Sequence, residues 1–198
     1  MSLASAAKKH FELIISFVAV AMAIAAVVVA FYETSLMREQ ARLGVKPSVW
    51  LETNSRTNNQ EDENGGEFEL IIDNRGLGPA SLEYFTIQFE GKYIRFWQEW
   101  LSHVPLEGDD EKSITGISYT SVPRKYVLPN GDELEVFSIR APSDLIRRIS
   151  SASERYEFTI CACSFYNECW ISQGLNAVPQ AISECKVDPS TQFQGNRE

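Results

Sequence analysis

The chain has 198 residues, 27 of them acidic and 18 basic, with a formal net charge of −9. That length accommodates one long helix and one compact domain, and excludes two large domains. The first 44 residues hold four of the basic and three of the acidic residues, so the remainder carries 14 against 24, a net charge of −10; such a surface offers no general attraction to nucleic acid or anionic lipid, and an anionic ligand would need a local basic site.

Leu13 to Tyr32 is a run of twenty residues without a charge, the length at which a helix crosses about 30 Å of hydrocarbon. A secretory signal would have an apolar core of about 7–15 residues followed by a small-residue cleavage site. Here the small-residue candidates lie inside the run, so it reads as a retained anchor. One face of this helix is unusual. Ser16, Ala19, Ala23, Ala26 and Ala30 recur at alternating spacings of three and four, and the row extends back to Glu12 and forward to Glu33. In lipid, helices associate by close packing, which small side chains permit, and this spacing gives the left-handed crossing of parallel bundles. Glu12 and Glu33 stand 21 residues apart, about 31 Å along a helix. In a bundle of four or five copies the row would line a narrow pore with carboxylates at both mouths, a layout that favours cations. The competing reading is that both glutamates reach the headgroups and the alanines only pack. Lys8 and Lys9 before the span, against Arg38, Arg42 and Lys46 after it, lean towards a cytoplasmic C-terminal side.

Good helix formers continue from Thr34 to Leu43, where Gly44 supplies a C-cap and Pro47 a stop. After Pro47 the pattern is β. Strands are expected in PSVWLETN, EFELIIDN (with Phe68, Leu70 and Ile72 inward), SLEYFTIQFEGKYI (Phe85, Ile87, Phe89, turning at Gly91), SITGISYTSV, DELEVFSIR after the Asn130-Gly131 turn, and a hairpin within YEFTICACSFYNECW. The polar stretch TNSRTNNQEDENGG, residues 53–66, reads as a long hairpin loop. Short helices are expected in RFWQEWLSHV and SDLIRRIS, the second with Ser143 as its N-cap. The expected architecture is a single N-terminal transmembrane helix with a helical stalk (residues 1–44), then an all-β antiparallel immunoglobulin-like sandwich with two short helices (45–186), then a flexible tail (187–198).

Three groups of residues in this domain invite a chemical reading. DNRGLGPA lacks the following helix of a dinucleotide fingerprint, so Gly76 and Gly78 read as a tight turn with positive φ, stiffened by Pro79. Lys92, Tyr93, Arg95 and Trp97 pair cations with rings, as a site for a nucleotide would. Arg124 and Lys125 are a second weak basic pair, and an ordinary amphipathic cover for the sandwich explains the aromatic group better. All four cysteines lie in the last quarter. The alternation of Tyr156, Phe158, Ile160 and Ala162 puts Cys161 and Cys163 on the opposite face; a hairpin turning at SFYNE sets Cys163 across from Cys169 and leaves Cys161 for Cys185. Two disulfides would suit an oxidising compartment such as the periplasm. Reduced cysteines are the alternative, and a C-x-C…C…C pattern is not a recognised zinc spacing. The two histidines, His10 and His103, form no catalytic arrangement, and no nucleophile motif, phosphate loop or paired carboxylates appear. No enzyme activity, cofactor or metal is expected.

The layout resembles small bacterial membrane proteins that join one or two N-terminal spans to a β-sandwich carrying an N-x-G-x-G-P-A turn and an aromatic-rich last hairpin. Asn74 to Ala80 (NRGLGPA) and Cys163 to Trp170 (CSFYNECW) carry the likeness. Membrane effectors of anti-phage defence systems look similar, that of the Hailong system among them, in which a nucleotide-polymerising partner controls an oligomeric channel through a cytosolic sensing domain. The segment FELIISFVAVAMAIAA is also similar to type IV pilins, but His10 stands where the processing glycine belongs and Glu12 is second where the pilin acid is fifth. What the first resemblance implies is a homo-oligomeric channel, expected as a tetramer, in the bacterial inner membrane, gated by a β domain that senses a nucleotide or oligonucleotide signal or a nucleotidyltransferase partner. The other expectation, from a different class, is a disulfide-stapled periplasmic interaction domain on a passive anchor.

Overall fold

The computed structural model describes residues 3–57, 65–104, 106, 108, 110–186 and 188–195, with side chains from residue 14 onward. It divides into two compact units, Met1–Gly44 and Val45–Glu198. The first is one helix, α1 (Leu3–Leu43). Ile14–Leu43 within it is long and apolar enough to cross a membrane. Its described residues are exposed, Phe17 at 76% and Phe31 at 75%. A helix this apolar over a membrane length suits a lipid surrounding. One such helix near the N-terminus is compatible with a single-pass membrane protein. Gly44 ends the helix as expected, its amide donating to Gln40 O at 2.9 Å.

The second unit is an antiparallel β-sandwich. Its described residues form ten strands: β1 (Val49–Thr57), β2 (Gly66–Asn74), β3 (Ala80–Phe89), β4 (Lys92–Ile94), β5 (Gly116–Tyr119), β6 (Tyr126–Leu128), β7 (Glu133–Ala141), β8 (Tyr156–Cys163), β9 (Cys169–Gln173) and β10 (Gln180–Ile182). One sheet runs β1-β2-β7-β5; the other runs β10-β9-β8-β3-β4, with β6 also on β3. The strands expected from alternation are all present. β4 returns beside β3 after the expected turn at Gly91; β6 and β10 are additions, each three residues long and too short to display a period of two.

The two sheets share one core. Phe68, Leu70 and Ile72 of β2, Phe85 and Ile87 of β3, and Phe158 and Ile160 of β8 are at most 1% exposed, as the alternation requires. Three helices stand among the described residues of the unit: α2 (Trp97–Ser102), α3 (Asp110–Ser113) and α4 (Ser143–Ser153). α2 buries Trp97 and Trp100, which meet edge to face with ring centroids 6.0 Å apart. α4 buries Leu145, Ile146, Ile149 and Ala152, an i, i+1, i+4, i+7 stripe. Ser143 is not its N-cap. Pro142 holds that position, and the Ser143 hydroxyl donates to Gly65 O at 3.2 Å. Proline suits the first helical turn as well, and the extended ψ of 146° at Pro142 marks where the helix begins.

The segment after Lys186 departs most from the sequence reading. Residues 188–195 are docked on the sandwich, and Phe193 is 1% exposed within the core. Its ring stands edge-on to Phe85 and Trp97, with centroids at 5.5 and 4.6 Å. A lone phenylalanine in a polar stretch carries no periodicity, so its burial is invisible until the fold offers it a slot.

Candidate functional site

The face of β8 turned away from the core holds the chemistry. Cys161 and Cys163 are buried yet stand outside the core cluster that contains Phe158, Ile160 and Ala162. Strand register puts Cys163 opposite Cys169 and Cys161 opposite Ile171. Cys163 bonds to Cys169 across the hairpin, and Cys161 bonds to Cys185, which lies beyond β10. The two bonds adjoin. Sγ of Cys163 is 3.5 Å from Sγ of Cys185, and the sulfurs of Cys163, Cys169 and Cys185 all lie within 4.8 Å of one another. The tip of the hairpin is a tight turn in which the Ser164 amide donates to Glu168 O at 2.8 Å and Asn167 takes a φ of 59°.

The second bond fixes a strap. From β10, at one edge of the larger sheet, the chain passes Cys185 over β8 and reaches the far edge of β3. There β6 pairs with Ala80–Leu82 and β4 with Ile87–Phe89, leaving a gap between them. The strap fills it: the Phe193 amide donates to Phe85 O at 3.0 Å, the Gln194 amide to Arg95 O at 2.8 Å, and the Trp97 amide to Gly195 O at 2.9 Å. An edge that would otherwise expose unpaired carbonyls is thereby closed by residues 193–195 of the same chain.

The NRGLGPA turn is a second built feature. Asn74 is wholly buried. Its amide nitrogen donates to Gly78 O (2.9 Å), Leu128 O (3.1 Å) and Pro129 O (3.0 Å), and its side-chain oxygen accepts from the amides of Ser48 and Gly76 (both 3.1 Å). A buried amide satisfied on both atoms fixes the chain that surrounds it. Neither Gly76 nor Gly78 has the expected positive φ. The glycines are needed for close approach. A Cβ on Gly76 would stand 2.5 Å from Lys46 O and Pro47 Cα, and one on Gly78 would overlap the Val45 carbonyl. The turn therefore locks residues 45–48, the entry to the domain. It is structural.

The residues proposed for an anionic aromatic ligand do not meet. Lys92 and Tyr93 are exposed on β4; Arg124 and Lys125 are exposed before β6. These groups sit at opposite ends of the β3 edge, Ile94 beside Ile87 and Tyr126 beside Leu82; five residues of strand separate them by about 17 Å. Trp97 is 1% exposed, its ring centroid 4.8 Å from that of Phe137, so it is part of the core and presents no face to a ligand. Arg95 is half-buried, and its backbone carbonyl receives the strap. On α1, Ser16, Ala19, Ala23, Ala26, Ala30 and Glu33 are exposed, as are the bulky residues around them. Glu12 belongs to the helix, and its side chain lies outside the described residues.

Exposed apolar side chains gather at two loops of one end. Leu77 (71% exposed) is in the turn leading into β3, and Phe165 (66%) and Tyr166 (48%) are at the tip of the cysteine hairpin. Ser81 at the start of β3 pairs with Cys163 at the end of β8, so both loops leave the same end of the sheet. Sequence reasoning missed the strap and the Asn74 network. The first gave no signal beyond Cys185; the second was legible only as an asparagine beside two glycines. No protein family, curated protein or solved structure matches the chain.

Proposed function

We propose that this chain is a membrane-anchored interaction protein whose β-sandwich works on the oxidising side of the membrane. The pair of disulfides carries the reading: four cysteines, none left free, staple the last hairpin and the strap, the usage of a domain that meets an oxidising compartment. The exposed apolar tips Leu77, Phe165 and Tyr166, rimmed by polar loop residues, supply a surface of the kind that recruits partners. The test is labelling of intact cells with a membrane-impermeant thiol reagent. The expected result is no labelling before reduction and labelling of the cysteines after an impermeant reductant. Labelling without reduction, or only after the membrane is opened, would overturn the reading.

A second reading keeps the channel expectation and the effector resemblance. The specific observation in its favour is the composition of one α1 face, serine and alanine from Ser16 to Ala30 with Glu33 beyond, where close-packed copies would turn small and acidic groups to a common axis. In that case Glu33→Lys alters ion selectivity in liposomes, whereas Phe17→Leu on the opposite side does not. An unrelated replacement anchor separates the readings: a recruiter keeps working and a channel stops.

A further inference from the structure

We propose that the four sulfurs are also a metal site: in the reduced chain, the thiolates of Cys161, Cys163, Cys169 and Cys185 hold one soft divalent cation of the zinc(II) class. The inference rests on the geometry of the clasp and is independent of which side of the membrane the domain occupies.

A tetrahedral zinc–thiolate centre has metal–sulfur bonds of about 2.3 Å, which sets its sulfurs about 3.8 Å apart. Sγ of Cys163 and Sγ of Cys185 are already 3.5 Å apart without a bond between them, and with Cys169 they form a triangle with no edge above 4.8 Å. Cys161, bonded to Cys185, stands outside that triangle and supplies the fourth ligand by turning its side chain inward once the bond opens. Three of the ligands stand on one rigid hairpin, Cys161 and Cys163 two residues apart on β8 and Cys169 directly across, so their spacing is fixed by the sheet. The fourth arrives on the strap. Cys161, Cys163 and Cys169 are at most 8% exposed, which lowers competition from water for the ion. Four thiolates and no oxygen ligand select zinc over magnesium or calcium.

The chemistry balances simply. Each disulfide opened by a phosphine takes up two electrons and two protons while the phosphine becomes its oxide with oxygen from water. The four thiols then release four protons as the cation enters, and no further electron moves. The strap is thus clasped in both states, by sulfur–sulfur bonds when oxidised and by the shared ion when reduced. This explains why the bonds adjoin; two staples at separate places would hold the strap and hairpin equally well.

The experiment uses the full chain in detergent, reduced with a phosphine under argon and titrated with cobalt(II), whose ligand-field and thiolate charge-transfer bands report tetrahedral sulfur ligation. The expected result is one cobalt per chain, displaced by one zinc, and no binding by the oxidised protein. Cys185→Ser should weaken zinc binding by at least about tenfold, the scale of one lost supporting ligand. Cys185→His, which restores a ligand on the strap, should regain the site with a blue-shifted spectrum and covers the case in which the serine variant fails to fold. Absence of the thiolate bands in the reduced chain, or equal zinc affinity in Cys161→Ser, Cys185→Ser and the parent, would overturn the proposal. Thiol labelling in cells can fail or succeed without changing this result, so the two readings stand or fall separately.

Discussion

The two ends of the β domain are fixed by opposite means. At its entry, residues 45–48 lie against bare backbone at Gly76 and Gly78 and are pinned by one amide side chain, that of Asn74. At its exit, a strap is fixed by a covalent bond at Cys185 and a buried ring at Phe193. The entry relies on shape: its partners have no room to move. The exit relies on a cross-link and a plug, so it tolerates looser fit along its length. The difference teaches where each can be broken.

The largest effect belongs to the entry. In Gly78→Ala the added methyl meets the Val45 carbonyl, a backbone atom that cannot swing aside, and the Asn74 bonds to Gly78 and Ser48 must distort with it. A loss of about 4 kcal/mol is expected, at the upper end of single substitutions, read from denaturant unfolding of the full chain. A loss under about 1 kcal/mol would mean that the corner yields and that shape is not what holds it.

The exit separates into two smaller effects. Paired serine substitution at Cys161 and Cys185 opens a loop closed over a sequence separation of 24, worth about 3.5 kcal/mol by chain entropy at 25 °C. The same change at Cys163 and Cys169 opens a separation of 6, worth about 2.4 kcal/mol. Unfolding of the two oxidised double variants should therefore rank them in that order, with the strap variant also exposing Phe193 to proteolysis nearby. The reverse order would show that the hairpin bond, not the strap, is the principal staple of the exit.

How much of this was legible beforehand follows the same division. The anchor was plain from twenty uncharged residues, and the long strands from alternation such as Phe68-Leu70-Ile72, because each signal is repeated along its own element. The location of the turn at Asn74–Ala80 was readable too, but its reason was not. Positive φ is a local property, whereas the actual constraint comes from residues 45–48, about thirty positions away in sequence. The Trp97 group offered two readings, and core packing, the one favoured from the sequence, is the one that holds. Cation and ring side by side in sequence look like a binding site, yet helix α2 turns Trp97 inward while Lys92 remains on an exposed strand. Phe193 shows the limit most clearly. Nothing within its neighbours announces burial, since the slot is made by Phe85 and Trp97 on other elements.

The mildest expected effect lies in the core between the two ends, at Tyr156. Its hydroxyl donates to Trp100 O at 3.2 Å, and burial pushes its pKa up to about 12 from an ordinary value of 10.0. Removing that hydrogen bond in Tyr156→Phe should cost about 1 kcal/mol at neutral pH, where both residues are uncharged. Alkali distinguishes them further. Between pH 10 and 12 the unfolded chain gives up this proton while the folded chain keeps it, so the folded state binds more protons and its stability falls as pH rises through that window. Below pH 10 the group contributes no slope. Tyr84, also raised by burial, is present in both proteins and cancels in the difference. Stability curves of parent and variant should therefore run parallel up to about pH 10, then converge and cross before about pH 12. Curves that stay parallel throughout would mean that the Tyr156 hydroxyl reaches solvent, and that the aromatic layer joining Trp100, Phe89 and Phe158 is open at that point.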